Sequence, residues 1–506
     1  MRVFIVNFGY KTIRYLPMME LFLADAISKK GDHQVKIFTI MSNESNDKAI
    51  DILKEHGDNF ITIVWETLAS KSVTYIKKSM DFARLYKQKC ESPLLVGGYW
   101  ASTVGDHFDE FSIFDYIIEG YSADQIANAV NNLEWNKKDR RISALAQIDW
   151  NQYNLNTHFL VDPSKYFHRP SRFLSGYLTS IGCPNACGFC YNTVLQNKKT
   201  CYSERSVEKV KEDLEILDQK YNFRTIQFKD LNFFYNSKRA FDILDFLKYK
   251  GKRIQYAVDI TVKDASEEIF QRVPHYGIKE LWIGLESFNE NSLRKMNKEY
   301  SKEKLEQVFV WAEKYRIMVF GNIMLGAPWQ DRKYIEKTIS MALEYIYRFR
   351  YVMITFNSLR PIIGTPIQEE YFPDIYEKLN FNEMIDAFSF YLGEKQQRIY
   401  GRCFDFIDFE KVHNAFWFIK ELKTMENHPD ILGRRILVFI RKRIERQLQP
   451  PYFSAKYLDK CFLIRHSTRQ MIMNILPRLF MLIQIHMYWR YFKKVIGGSR
   501  QRILAK

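Results

Sequence analysis

Cysteine is scarce in this sequence, at 7 residues in 506, and so are proline at 14 and glycine at 21. The seven cysteines (Cys90, Cys183, Cys187, Cys190, Cys201, Cys403 and Cys461) form an odd, unevenly spread set. That excludes a disulfide framework and fits a reducing compartment. So little proline and glycine excludes a collagen or low-complexity chain. No clean run of 18 apolar residues occurs and the mean hydropathy is −0.33, against a polytopic membrane protein. The chain does not open with a cationic n-region followed by an apolar h-region, so a standard secretory signal is not expected. What remains is 46% hydrophobic and 26% charged, ordinary for a chain that buries a sizeable core. At roughly 150 residues per domain the length suggests about three domains.

The formal net charge is +16, and it is concentrated at one end. Residues 431–506 hold 17 Lys and Arg against only Glu445 and Asp459. The rest of the chain is nearly neutral, so any argument for nucleic acid or membrane rests on that tail.

Short apolar strands alternate with amphipathic helices from the start. Arg2–Val6, Val35–Phe38, Phe60–Val64, Leu94–Val96 and Tyr116–Ile118 read as strands, separated by helical patterns such as Val73–Tyr86. This order predicts a doubly wound parallel sheet over residues 1–140. Ligands of such sheets lie at the carboxyl ends of the strands. Here those ends carry Asn7, Trp65-Glu66-Thr67, Gly97-Gly98 and Glu119-Gly120. Residues 141–172 are broken by Pro163 and Pro170 and read as a linker. Six further strand–helix units are expected over 173–375, with strands at Leu174–Ser180, Thr225–Phe228, Ile254–Val258, Glu280–Gly284, Val319–Met324 and Val352–Phe356. Six units are too few for a complete eight-stranded barrel and suit a partial (β/α)6 barrel of TIM type. Residues 376–506 read as a helical, basic C-terminal region.

The sharpest motif is Gly182-Cys183-Pro-Asn-Ala-Cys187-Gly-Phe189-Cys190, a C-x3-C-x2-C pattern just after the first strand of the second series. Three thiolates on one loop can converge on one metal centre, and Gly182 and Gly188 let the loop wrap it. Two centres fit the residues. One is a structural zinc with His168 or Cys201 as fourth ligand, although zinc sites favour C-x2-C pairs. The other is a [4Fe–4S] cluster with one iron left open.

With Phe189 between the last two cysteines, this motif resembles that of the radical S-adenosylmethionine (SAM) superfamily. The resemblance extends to Arg205-Ser206-Val-Glu, to Gln227-Phe-Lys-Asp230-Leu-Asn232-Phe233, and to Gly284-Leu-Glu286-Ser287. It continues through Met296-Asn297-Lys298, Gly326-Ala-Pro328 and Pro361-Ile-Ile-Gly364-Thr365-Pro366. It implies that Cys183, Cys187 and Cys190 hold a [4Fe–4S] cluster whose open iron binds the amino and carboxylate groups of SAM. It also implies that Glu286 faces the SAM ribose, with Phe189, Asp230 and Ser287 around the same cofactor. The implied chemistry is reductive cleavage of SAM to a 5′-deoxyadenosyl radical. A strand-end Glu can equally cap a helix, and Asp230 can serve a turn.

Residues 1–140 resemble the cobalamin-binding domain that precedes many radical SAM barrels, through the strand ending at Asn7, the Gly31–Val35 turn, Val96-Gly97-Gly98 and Asp115–Gly120. The resemblance implies cobalamin against Gly97, Gly98 and Gly120. No D-x-H-x-x-G occurs, so no histidine is expected beneath the cobalt. Tyr121, Ser122 and Ala123 also replace the acidic residues usual after that last glycine. A degenerate domain that only packs on the barrel is the alternative.

The basic tail alternates Arg and Lys clusters with Ile, Leu, Phe, Trp and Tyr. Peripheral contact with an anionic lipid surface is the first reading and a helical cap the second. Nucleic acid comes last, because the stretch Met471–Trp489 is too apolar for a phosphate-binding arm. Together these features lead to the expectation of a cytoplasmic, cobalamin-dependent radical SAM enzyme that methylates an unactivated carbon. Its substrate would be a small or lipid-like molecule, and a flavodoxin or ferredoxin would supply the electron. The rival within the class is radical cyclisation, rearrangement or hydroxylation without methyl transfer. From another class, a zinc-stabilised module at the membrane surface is the rival.

Overall fold

The computed structural model describes residues 1–375 together with 377, 380 and 383. Residues 10–14, 58, 67–72, 105–108, 133–139, 148, 169–170, 198–201 and 255–256 fall outside that description. So do the expected helical region beyond 383, the basic tail 431–506, and the cysteines Cys201, Cys403 and Cys461.

The first series runs β1 (Arg2–Gly9), α1 (Met18–Lys30), β2 (Gln34–Met41), α2 (Asn46–Lys54), β3 (Phe60–Glu66), α3 (Val73–Lys89) and β4 (Leu94–Gly98). It continues with α4 (Tyr99–Val104), β5 (Tyr116–Gly120), α5 (Ala123–Asn132) and β6 (Arg141–Ala144). All six strands are parallel, in the order β2-β1-β3-β4-β5-β6. Val3 to Val6 are buried on both faces, as a central parallel strand requires. α1 packs beside α5, and α2 beside α3. The chain turns from one side of the sheet to the other between β1 and β3, which opens a crevice above their carboxyl ends.

The sheet extends further than the sequence suggests. Arg141–Ala144, assigned to a linker, is instead the sixth strand, with Ile118 opposite Ile142. Alternating burial along these four residues is the only local signal, too short to read as a strand. The irregular stretch after it is a strap of single 3₁₀ turns at Trp150–Gln152, Thr157–Phe159 and Pro163–Tyr166. It buries Trp150, Tyr153, Leu155, Phe159 and Tyr166, with Trp150 and Tyr153 against Phe22 of α1. Val161 N donates to Ile37 O of β2 at 3.1 Å, so the strap crosses to the far edge of the first sheet.

The second series begins with β7 (Phe167–His168), antiparallel to β8 (Phe173–Tyr177). Next come β9 (Ser180–Ile181), α6 (Tyr191–Asn197), β10 (Ser203–Glu204), α7 (Val207–Tyr221), β11 (Thr225–Phe228), α8 (Ser237–Tyr249), β12 (Arg253–Ile254) and β13 (Ala257–Ile260). The last elements are α9 (Glu267–Arg272), β14 (Glu280–Glu286), α10 (Glu290–Lys295), α11 (Lys302–Tyr315), β15 (Met318–Leu325), α12 (Arg332–Arg348), β16 (Val352–Ser358) and α13 (Pro366–Tyr371). β8, β11 and β12 form one parallel run and β13 to β16 another. β11 lies beside β13. Side chains with matched caps start the helices: Ser206 accepts from Lys209 N, Asn236 from Arg239 N and Ser301 from Lys304 N.

The expected strand Leu174–Ser180 is two pieces. β8 ends at Tyr177, and Ser180–Ile181 pairs separately with β10. The break lets the chain leave the sheet and enter the cysteine loop.

The chain divides into two compact units, the first of residues 1–331 with 345–405 and the second of residues 332–344 with 406–506. The site lies wholly in the first.

Candidate active site at the cysteine loop

The loop 182–190 is held by main-chain bonds at several points. Gly188 N donates to Met296 O at 2.8 Å, and Ile367 N of α13 donates to Gly188 O at 3.0 Å. Asn297 adds a side-chain bond to Ala186 O at 2.6 Å, with its own backbone in the left-handed region at φ 49°. Thr193 Oγ1 donates to Cys187 O at 2.7 Å and Asn192 Nδ2 to Cys183 O at 3.0 Å, tying the loop to the first turns of α6. Phe189 packs into a small apolar cluster of Met296, Ala327, Leu359 and Ile367. Its role here is to anchor the loop.

Cys183, Cys187 and Cys190 form no disulfide and are half-buried. Burial raises all three thiols above their ordinary values, Cys190 to about 12, while the ammonium of Lys298 nearby pulls each down. A [4Fe–4S] cube takes each thiolate on a different iron, and three half-buried cysteines on one loop match that donor set with one iron left open. His168, one of the two candidate fourth zinc ligands, is exposed and bonded to Ser171; the other, Cys201, lies outside the described residues.

Glu286 lies at the end of β14, where the register with β15 shifts by a bulge, and it takes φ 59°. Tyr300 Oη braces the bulge, its single proton shared between Leu285 O at 2.6 Å and Ser287 O at 2.7 Å. The carboxylate pairs with Lys298 Nζ at 2.7 Å, both side chains largely buried. Burial opposes the Lys298 charge, but Glu286 and then Cys187 outweigh it and raise its pKa. A Cβ on Gly284 would fall 2.5 Å from Lys298 Nζ, so the glycine makes room for the pair. Ser287 is fully buried and accepts from Asn289 N at 2.9 Å, a turn role.

Asp230 does not face this pair directly. Its carboxylate accepts from Thr179 N and Oγ1 and from Ser180 Oγ, the last two at 2.7 Å. It therefore fixes the chain just ahead of the cysteine loop. Burial raises its pKa, which those donors partly offset.

At the carboxyl edge of the first sheet each expected glycine has a packing reason. A Cβ on Gly97 would meet the Trp65 indole at 2.5 Å. Gly98 and Gly120 have φ of 106° and 100°, and a Cβ on Gly120 would strike Ala144 O. Ser102 Oγ links them, donating to Gly98 O at 2.7 Å and accepting from Gly120 N at 3.0 Å. The indole Nε1 of Trp65 is buried with no acceptor among the described residues. Thr67 falls outside the described residues. Beneath the crevice, Glu20 of α1 is fully buried; Asn7 Nδ2 donates to it at 2.8 Å, and burial pushes its pKa to about 7.

Sequence reasoning passed over Lys298 as the partner of Glu286, although it ends the quoted Met296-Asn297-Lys298 segment. It also missed Tyr15. Leu16 N donates to Ser175 O of β8 at 2.8 Å, and a Cβ on Gly176 would meet Tyr15 Cβ at 2.6 Å. The connection after β1 thus lies across the backbone of the second series, a contact between segments some 160 residues apart.

Residues 177–342 match the family model for the radical SAM superfamily. A curated relative, an uncharacterized methyltransferase of Pyrococcus horikoshii, is 30% identical over 165 residues, which is 33% of this chain and 36% of the relative. The match thus spans just over a third of that protein. Among solved structures, the radical SAM methyltransferase TsrM of Kitasatospora setae aligns with a TM-score of 0.56 at 14% identity, covering 75% of this chain and 77% of its own. The cobalamin-dependent SAM radical enzyme OxsB aligns at 0.57 and 12% identity, over 94% of this chain and 75% of its own. Both likenesses show the shared α/β fold with parallel sheets. With the cysteine loop and the family match falling on the same strands, the 177–342 segment of this chain belongs to the radical SAM superfamily.

Proposed function

We propose that the chain is a cytoplasmic enzyme whose second series is a partial (β/α)6 barrel, and that it methylates an unactivated carbon using SAM and cobalamin. The observation that carries this reading is the single loop bearing Cys183, Cys187 and Cys190, pinned to Met296, Asn297 and Ile367 beside the buried Glu286–Lys298 pair. A [4Fe–4S] cluster bound there supplies the electron that splits SAM. The three cysteines would hold it, and Gly188 and Asn297 keep the loop in place. Glu286, oriented by Lys298 and by the Tyr300-braced bulge, is the acceptor for the ribose of SAM. Asp230 positions Thr179 and Ser180, and Phe189 anchors the loop.

For cobalamin the candidate surface is the carboxyl edge of the first sheet, where the strand order reverses. The indole N–H of Trp65, without an acceptor among the described residues, and the small residues Gly97, Gly98 and Gly120 support that choice. OxsB, of similar fold, has been solved with aqua-cobalamin and SAM bound, and TsrM with cobalamin and a [4Fe–4S] cluster. The substrate is a small or lipid-like molecule, and a flavodoxin or ferredoxin is the reductant. Residues 431–506 bring the enzyme to an anionic membrane surface; no helix among the described residues is long and apolar enough to cross one.

Anaerobic reconstitution with iron, sulfide and cobalamin, followed by product analysis with SAM and reductant, tests this. 5′-Deoxyadenosine and S-adenosylhomocysteine are both expected, and Cys187→Ala should abolish the first. Deoxyadenosine without adenosylhomocysteine would replace methyl transfer by rearrangement or hydroxylation. Undiminished cleavage by Cys187→Ala would overturn the assignment.

A further inference from the structure

We propose that Lys229 selects the substrate by binding an anionic group on it, a carboxylate or a phosphate, at the open face of the barrel strands. This rests on the function proposed above and adds a substrate class to it.

Burial alternates along the strands and identifies that face. On β14, Leu281, Ile283 and Leu285 are fully buried, while Glu280, Trp282 and Gly284 between them are half-buried. On β11 and just beyond it, Ile226, Phe228 and Asp230 are buried, whereas Gln227 and Lys229 are half-buried. Asp259 of β13 lies opposite Trp282, which lies opposite Phe320 of β15. Lys229, Asp259, Trp282 and Gln227 therefore share the more accessible face, and past the bulge the Glu286 carboxylate lies back over Gly284 of the same face.

The ammonium of Lys229 is held by rings. It lies 5.1 Å from the centre of the Tyr15 ring and 5.8 Å from that of Trp282. Aromatic faces locate a cation but accept few of its three N–H donors. Among the described residues no carboxylate forms an ion pair with it. Asp259 is the acid within electrostatic reach, and burial first, then Asp230, push its pKa to about 7 despite Lys229. Near neutrality Asp259 is only partly ionised and does not cancel the lysine charge. Gln227, fixed by Ser175 Oγ at 3.0 Å, adds a second polar group to the same face. A half-desolvated ammonium whose donors meet no acceptor among the described residues, held between two rings, is suited to a charge-assisted bond with an acidic substrate group.

Trp282 makes the site observable. The full-length chain, purified anaerobically and labelled with 5-fluorotryptophan, is titrated with inorganic phosphate and, separately, with acetate. Chloride keeps the ionic strength constant. Trp282→Phe assigns the fluorine resonance, and the other eight of the 9 tryptophans report on the fold. At least one anion is expected to move the Trp282 signal saturably. Lys229→Met should weaken the midpoint at least tenfold, and Lys229→Arg should stay within about threefold of wild type. If neither anion shifts the signal beyond the chloride effect, or if Lys229→Met titrates like wild type, the proposal is overturned. The titration needs neither cluster nor SAM. Wild-type protein that binds the anion but never cleaves SAM would therefore overturn the proposed function and leave the anion site standing.

Discussion

Replacing Arg205 by leucine should cost this protein about 3–5 kcal/mol, the penalty for removing one partner of a buried ion pair. Arg205 is 1% exposed and meets three parts of the fold at once. Its Nε and Nη2 donate to the Asp213 carboxylate of α7 at 2.6 and 2.9 Å. Nη2 also donates to Tyr153 O at 2.9 Å and Nη1 to Trp150 O, both on the strap. Its guanidinium lies 4.7 Å from the centre of the Phe22 ring on α1. Leucine fills the space but leaves Asp213 with Tyr177 Oη, at 2.7 Å, as its remaining side-chain partner among the described residues, and burial already raises that carboxyl. Urea unfolding followed by circular dichroism measures the loss. The double variant Arg205→Leu/Asp213→Leu should recover most of it, because an apolar pair carries no stranded charge. A single variant within about 1 kcal/mol of wild type, the range of an exposed pair, would refute the reasoning. So would a double variant as unstable as the single one.

Gly120→Ala should destabilise the first sheet by about 2 kcal/mol or more in the same assay, because it combines an unfavourable φ with a backbone clash at Ala144. Glu20 predicts a pH effect. Its pKa is about 7 when folded and 4.5 by default, so its contribution is fully present below pH 4.5 and is lost as pH rises through 7. Glu20→Gln should flatten that slope and make the protein relatively more stable at pH 8, by about 3 kcal/mol at most; parallel curves for the two proteins would refute this. Glu286→Gln should cost about 1–3 kcal/mol, the worth of a hydrogen bond to a charged group, and weaken SAM binding at least tenfold by calorimetry. Unchanged SAM affinity would remove Glu286 from the site.

The parallel order of both series was legible because buried strands of Val, Ile, Leu and Phe alternate with amphipathic helices, a pattern local to each segment. The cysteine loop was legible because its three cysteines lie within eight residues. What escaped was long-range. Lys298 meets Glu286 across a bulge, and Asp230 is taken up by Thr179 and Ser180, some fifty residues earlier. A motif names the residue type but cannot say which neighbour claims its hydrogen bonds. The glycines at the edge of the first sheet show the same gap: their need is real, yet Trp65 and Ala144 account for Gly97 and Gly120 before any ligand does. Arg141–Ala144 was missed as a strand because four residues give too short a period to count.

The absence of a side chain at Gly176 lets the peptide at Tyr15 and Leu16 lie flat on β8. One of the two rings flanking Lys229 is therefore supplied from the far end of the polypeptide. Excising residues 1–172 to obtain a minimal fragment would strip away the Tyr15 ring beside Lys229 along with the first sheet. Experiments that shorten the chain should accordingly keep Tyr15 and Leu16 together with β8.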